Sequence, residues 1–186
     1  MRRLRDKKGF TLVEIAIVLV IIGLLLGAIL KGQGMIKNAK IKNVMRSADE
    51  IRAAVYTYQD RYKMLPGDDN NPVGHTGVGG LVPGNGSGQI TGSEALHVFN
   101  HLAAAQIISG SHTLTTYPTH AFGDSYYLSW ATAQGKTTHW VVYTNIPGDA
   151  GRSIDFTIDD GRYNTGAVRA SANYPANSTV TLYNEF

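Results

Sequence analysis

The sequence predicts an α+β protein in which one long N-terminal helix packs on a small antiparallel β-sheet head. Three observations carry this expectation. An uncharged apolar run extends from Ile15 to Leu30; it passes without any proline before Pro66 into an amphipathic pattern; and the last third of the chain is rich in β-branched and aromatic residues.

The apolar run comes first. Phe10 to Leu30 is 21 residues, about 31 Å of helix, close to the ~30 Å hydrocarbon thickness of a bilayer. Glu14 is its one charge, and an ionised carboxylate near hydrocarbon needs a partner. A basic leader precedes it: Arg2, Arg3, Arg5, Lys7 and Lys8 against Asp6 make the leader +4, so losing it turns the whole chain's +3 into −1. Basic flanks stay cytoplasmic, which places the rest of the chain across the membrane. An ordinary secretory leader explains the run less well, because no small-residue cleavage site follows before Lys31.

From Ile41 the apolar positions step by three and four through Val44, Ala48, Ile51, Val55, Tyr58 and Tyr62, with charged residues between them. That spacing predicts a one-sided helix continuing to Leu65-Pro66-Gly67, where proline and glycine end it. Gly23 and Gly27 match G-x-x-x-G, a spacing that lets two apolar helices approach closely. Gly32 and Gly34 offer local bending.

Residues 67–92 hold nine glycines with Pro72 and Pro83, and read as an irregular loop. Ser93 reads as an N-cap, and a second helix is expected over about 94–108 with Leu96, Phe99, Leu102, Ala103, Gln106 and Ile107 on its buried side. Glu94, His97 and His101 share one face and are expected to be solvated rather than metal-bound. An antiparallel sheet is expected over about 125–186, with a hairpin of residues 125–132 and 137–144 turning at Gly135 and a further strand at 179–183. Residues 154–158 fit strand or short helix equally. The tyrosines and tryptophans are expected to cover the long helix.

The residues Gly9-Phe10-Thr11-Leu12-Val13-Glu14 with the apolar run behind them resemble the N-terminal cleavage and methylation motif of type IV pilins and type II secretion pseudopilins. The resemblance implies a leader, residues 1–9, cut after Gly9 by a prepilin peptidase, with methylation of the new Phe10 amine. It implies a membrane and filament-core half-helix at 10–30, an amphipathic half at 31–65 and a globular head at 66–186. Glu14 is then expected to meet the terminal amine of a neighbouring subunit. The function implied is a structural subunit of a helical pilus or pseudopilus. It begins as a single-pass inner-membrane precursor and ends in a periplasmic or extracellular filament, with copies of itself and the inner-membrane assembly machinery as partners. Lys31 stands where many members have proline.

A minor tip subunit that captures DNA or a surface is the alternative, but a mature charge near −1 disfavours strong nucleic-acid binding. No nucleophile, base and orienting group occur at recognisable spacing, so catalysis is not expected. No cofactor is expected. Asp155, Asp159 and Asp160 gather hard oxygen ligands of the kind Ca²⁺ takes, and related pseudopilins use calcium, yet the spacing is not that of an EF-hand and a self-capped turn is the commoner use. The chain has no cysteine, so no disulfide can close its C-terminal region.

Overall fold

The computed structural model describes residues 9–110 and 116–186, so residues 1–8 of the expected leader lie outside the described residues. Helix α1 runs unbroken over Leu12–Tyr62. Two compact units share it, one up to Ala39 and one from Lys40 to Phe186. In the first unit every large apolar side chain from Phe10 to Ile36 is exposed, as expected of a surface made for lipid or for other helices. In the second unit Ile41, Val44, Ala48, Ile51, Ala54, Val55 and Tyr58 are buried, which is the stripe its spacing predicts.

The head folds against that stripe. Strands β1 (Tyr126–Ala133), β2 (Lys136–Pro147), β3 (Val168–Ala170) and β4 (Thr179–Glu185) form one antiparallel sheet in the order β1-β2-β4-β3. The fold is therefore α+β, with the long helix and small sheet expected. Gln134 and Gly135 both have positive φ, the backbone that a two-residue hairpin turn demands. Tyr143 and Leu182 lie in the core that the helix stripe helps to fill. The Tyr143 hydroxyl sits 3.0 Å from Ser47 Oγ, and Arg52 on α1 donates to the Glu185 carbonyl at 2.6 Å. Trp140 departs from expectation. It lies in a second cluster with Ala133 and Val142, since it pairs with Ser129 one register step from the Leu128–Val141 core pair. Lys136 and Arg169 approach its ring at 6.0 Å each.

Two further boundaries differ from the sequence reading, and one that it left open is decided. Helix α3 covers Glu94–Ala104, not 94–108, because Gln106 takes positive φ. Residues 154–158 are helical and end α4, Gly148–Ile158. The glycine-rich loop contains the short α2, Pro72–Thr76, and is ordered by buried acids. Asp68 accepts N–H bonds from Ser87 at 3.0 Å and Gly88 at 2.7 Å, and Asp69 accepts from the Tyr58 hydroxyl at 2.7 Å and Asn71 N–H at 2.8 Å. Gly67 turns the chain there at φ +88°, where an added Cβ would stand 2.6 Å from the Glu94 carbonyl.

Candidate functional site

Gly9, Phe10 and Thr11 precede the first helical residue, and Gly9 and Phe10 are exposed, Phe10 to 83%. The bond between them is thus outside regular structure and open to a protease. Thr11 and Glu14 then close on each other. Glu14 Oε2 accepts from the Thr11 N–H at 2.7 Å and from its hydroxyl at 2.9 Å, while the Glu14 N–H donates back to Thr11 Oγ1 at 3.2 Å. This is a capping box, and its S/T-x-x-E signature is present in Thr11-Leu12-Val13-Glu14. The sequence reading treated Glu14 as a carboxylate lacking any partner within its own chain; that was incomplete. Both donors go to Oε2, and Oε1 accepts from no described residue.

Among the described residues, nothing packs closely on the glycines of the same helix. A Cβ at Gly23, Gly27, Gly32 or Gly34 would meet nothing within 4 Å. Each weakens an exposed helix by roughly 1 kcal/mol relative to alanine, and no contact of the described residues offsets that. The helix is long and apolar enough to cross a membrane.

Glu94, His97 and His101 lie together on α3 but not on a solvated face: all three are buried. Glu94 accepts from the Asn85 N–H at 3.0 Å and the Thr91 N–H at 2.8 Å. Thr91-x-x-Glu94 thus repeats half of the Thr11-x-x-Glu14 device, the Glu94 N–H going to the Thr91 carbonyl at 3.0 Å rather than to its hydroxyl, and Ser93 makes no side-chain cap. His101 accepts the Gly67 N–H on Nδ1 at 2.9 Å and meets the Val82 carbonyl through Nε2 at 2.9 Å. Both His101 ring nitrogens are spent on loop backbone, so this side chain ties α3 to the loop.

One oxygen from each of Asp155, Asp159 and Asp160 lies within 4.8 Å of the others, and such a set suits a hard cation. Protein donors already reach most of these oxygens. Asp155 accepts from Gly161 N–H at 3.1 Å and from the Tyr174 hydroxyl. Asp159 Oδ2 accepts from the N–H groups of Ala167 and Val168, and Asp160 accepts from Arg162 N–H at 2.9 Å and Thr165 Oγ1 at 2.6 Å. Burial pushes the Asp155 carboxyl up, while the Thr165 and Arg162 bonds hold Asp160 down.

Residues 4–30 match the sequence profile of the prokaryotic N-terminal methylation motif. Neither a curated protein nor a solved structure matches the chain significantly.

Proposed function

We propose that this chain, whose N-terminal methylation motif is the signature of type IV pilins and pseudopilins, is a structural subunit of a helical filament assembled through α1. The observation that carries the reading is an apolar helix surface left wholly exposed from Phe10 to Ile36, interrupted near its start by a single carboxylate. Such a surface is stable in a bilayer or against copies of itself, and in water alone it is not. The precursor waits in the membrane; a prepilin peptidase cuts between Gly9 and Phe10 and methylates the new amine. Glu14 then receives the Phe10 ammonium of a neighbouring subunit on Oε1 while Oε2 stays in the capping box. Gly23 and Gly27 give adjacent helices room to approach.

Gly9→Val tests the processing step. A branched side chain at the cleaved position is expected to leave the chain as precursor, and mass spectrometry of the membrane fraction is expected to find an intact Met1 start. A mature product beginning at Phe10 in that variant sinks the assignment.

We further propose that the Asp155–Asp159–Asp160 turn stands without calcium, because backbone and hydroxyl donors do the work a cation would do. Gly166 supports this: its Cβ would fall 1.6 Å from Asp159 Oδ2, so the loop is shaped around that carboxylate. Melting with excess Ca²⁺ and with chelator is expected to give the same midpoint. A rise of several degrees with calcium overturns it.

A further inference from the structure

The charges of this chain are segregated along its length. Residues 31–46 carry five basic side chains and no acid, whereas residues 47–186 carry seven basic against twelve acidic. A +5 helical segment is followed by a −5 head. Lys42 and Arg46 are exposed, one turn apart on α1, on the side away from buried Ile41, Val44 and Ala48. Neither forms an ion pair among the described residues.

The head offers a complement at the end of α4. Phe156 is 76% exposed and Ile158 40%, an apolar display that a soluble surface does not need. Asp159 and Asp160 follow Phe156 by three and four residues and are exposed too. An aromatic ring and a carboxylate pair one turn apart match, in chemistry and spacing, a guanidinium and an ammonium one turn apart. Arg152, one turn before Phe156, repels a cation from that side and steers it toward the aspartates.

We infer that Lys42 and Arg46 of one subunit dock on the Phe156–Asp160 turn of a second copy, Arg46 stacking on the Phe156 ring and Lys42 facing Asp159 and Asp160. Planar guanidinium on an aromatic face is a favourable pairing. The inference rests on the filament reading and names the head contact that reading leaves open. The two surfaces differ and each copy carries both, so the contact is heterologous, the type that runs on as a helical array. An anionic lipid surface is the other partner a basic segment fits. Lys42 and Arg46 lie 12 and 16 residues past Leu30, about 18 and 24 Å along a helix, beyond the ~8–10 Å reach of surface charge in physiological salt.

The chain has no cysteine, so engineered thiols report the contact. Asn43→Cys and Thr157→Cys, at exposed positions beside the two surfaces, are placed on separate copies of the full chain and co-expressed. Mild oxidation of whole cells is expected to yield a disulfide dimer, reduced about tenfold by Lys42→Glu with Arg46→Glu. Phe156→Ala, which removes an exposed side chain outside the core, is expected to lower the yield as well. No dimer from the parent pair, or full yield from the charge-reversed and Phe156→Ala chains, overturns the contact. Filaments without cross-links reject this contact and leave the filament reading intact; charge-sensitive dimers without filaments do the opposite.

Discussion

Glu14→Ala is expected to be inserted and cleaved like the parent chain and to leave filaments scarce or absent by electron microscopy. On the filament reading the Phe10 ammonium of the next subunit loses the counter-charge proposed for it, and stranding one member of a buried ion pair costs about 3–5 kcal/mol. That corresponds to roughly two to four orders of magnitude in each subunit's association constant. The same substitution also removes the capping box on Thr11, a loss of about 1 kcal/mol confined to the helix start. Glu14→Gln separates the two effects. Glutamine serves a capping box as glutamate does, but it carries no charge. If Glu14→Gln assembles normally, the carboxylate acts through the cap and the intersubunit pair is wrong; failure of both variants supports the pair.

Acidification is expected to loosen the head through histidines that are buried or half-buried. His101, His120 and His139 each accept a backbone N–H, from Gly67 at 2.9 Å, Phe122 at 3.2 Å and Ile90 at 3.1 Å. Burial holds all three below the usual histidine range, against opposing contributions from the Val82 carbonyl on His101, the Thr144 carbonyl on His120 and Asp68 near His139. A fourth, His97, is also lowered by burial, and its Nδ1 has no hydrogen-bond partner among the described residues. A group whose folded pKa lies below its unfolded value contributes stability above the unfolded value, ~6.5 for histidine, and loses it as pH falls toward the folded one. Protonation also turns each acceptor into a donor facing an N–H, leaving buried groups unsatisfied at about 1–3 kcal/mol each. The melting temperature is therefore expected to fall between pH 7 and pH 5. Carboxylates act lower down: burial pushes Asp69 up, but bonds from His75, Tyr58 and Asn71 outweigh it and hold it down, so its contribution is lost on further acidification. His101→Gln, His120→Gln and His139→Gln combined are expected to flatten the slope above pH 5. A melting temperature constant across that interval in the parent chain contradicts the account.

The parts of this fold that the sequence discloses are those whose pattern repeats locally. The α1 stripe follows from steps of three and four, and the β1–β2 hairpin from two β-rich runs around Gly135. The Glu14 cap was equally local, and its four-residue signature lay in plain view. What the sequence concealed depends on distant partners. Nothing local marks residues 148–151 as helical, since two glycines weaken a helix, yet Gly148 and Gly151 begin α4 by letting it pass close to the chain near Pro175 and Tyr174: a Cβ on Gly148 would come 2.1 Å from the Pro175 carbonyl. Asp68 organises amides 19 and 20 residues away, a pairing no periodicity reveals. His101 was read as solvent-facing because two polar neighbours share its face, and its backbone partners at Gly67 and Val82 lie outside the helix. Trp140 changed sides for a reason intrinsic to sheets, where one step of register exchanges the faces.

Strand β4 is the last element in sequence, yet it lies between β2 and β3 and is bonded to both. The β3 edge has no other partner in the sheet, and the core side of β2 lacks Leu182 until β4 arrives. Closure of the sheet therefore waits on the segment 179–185: until it is in place, β2 and β3 have nothing to join them.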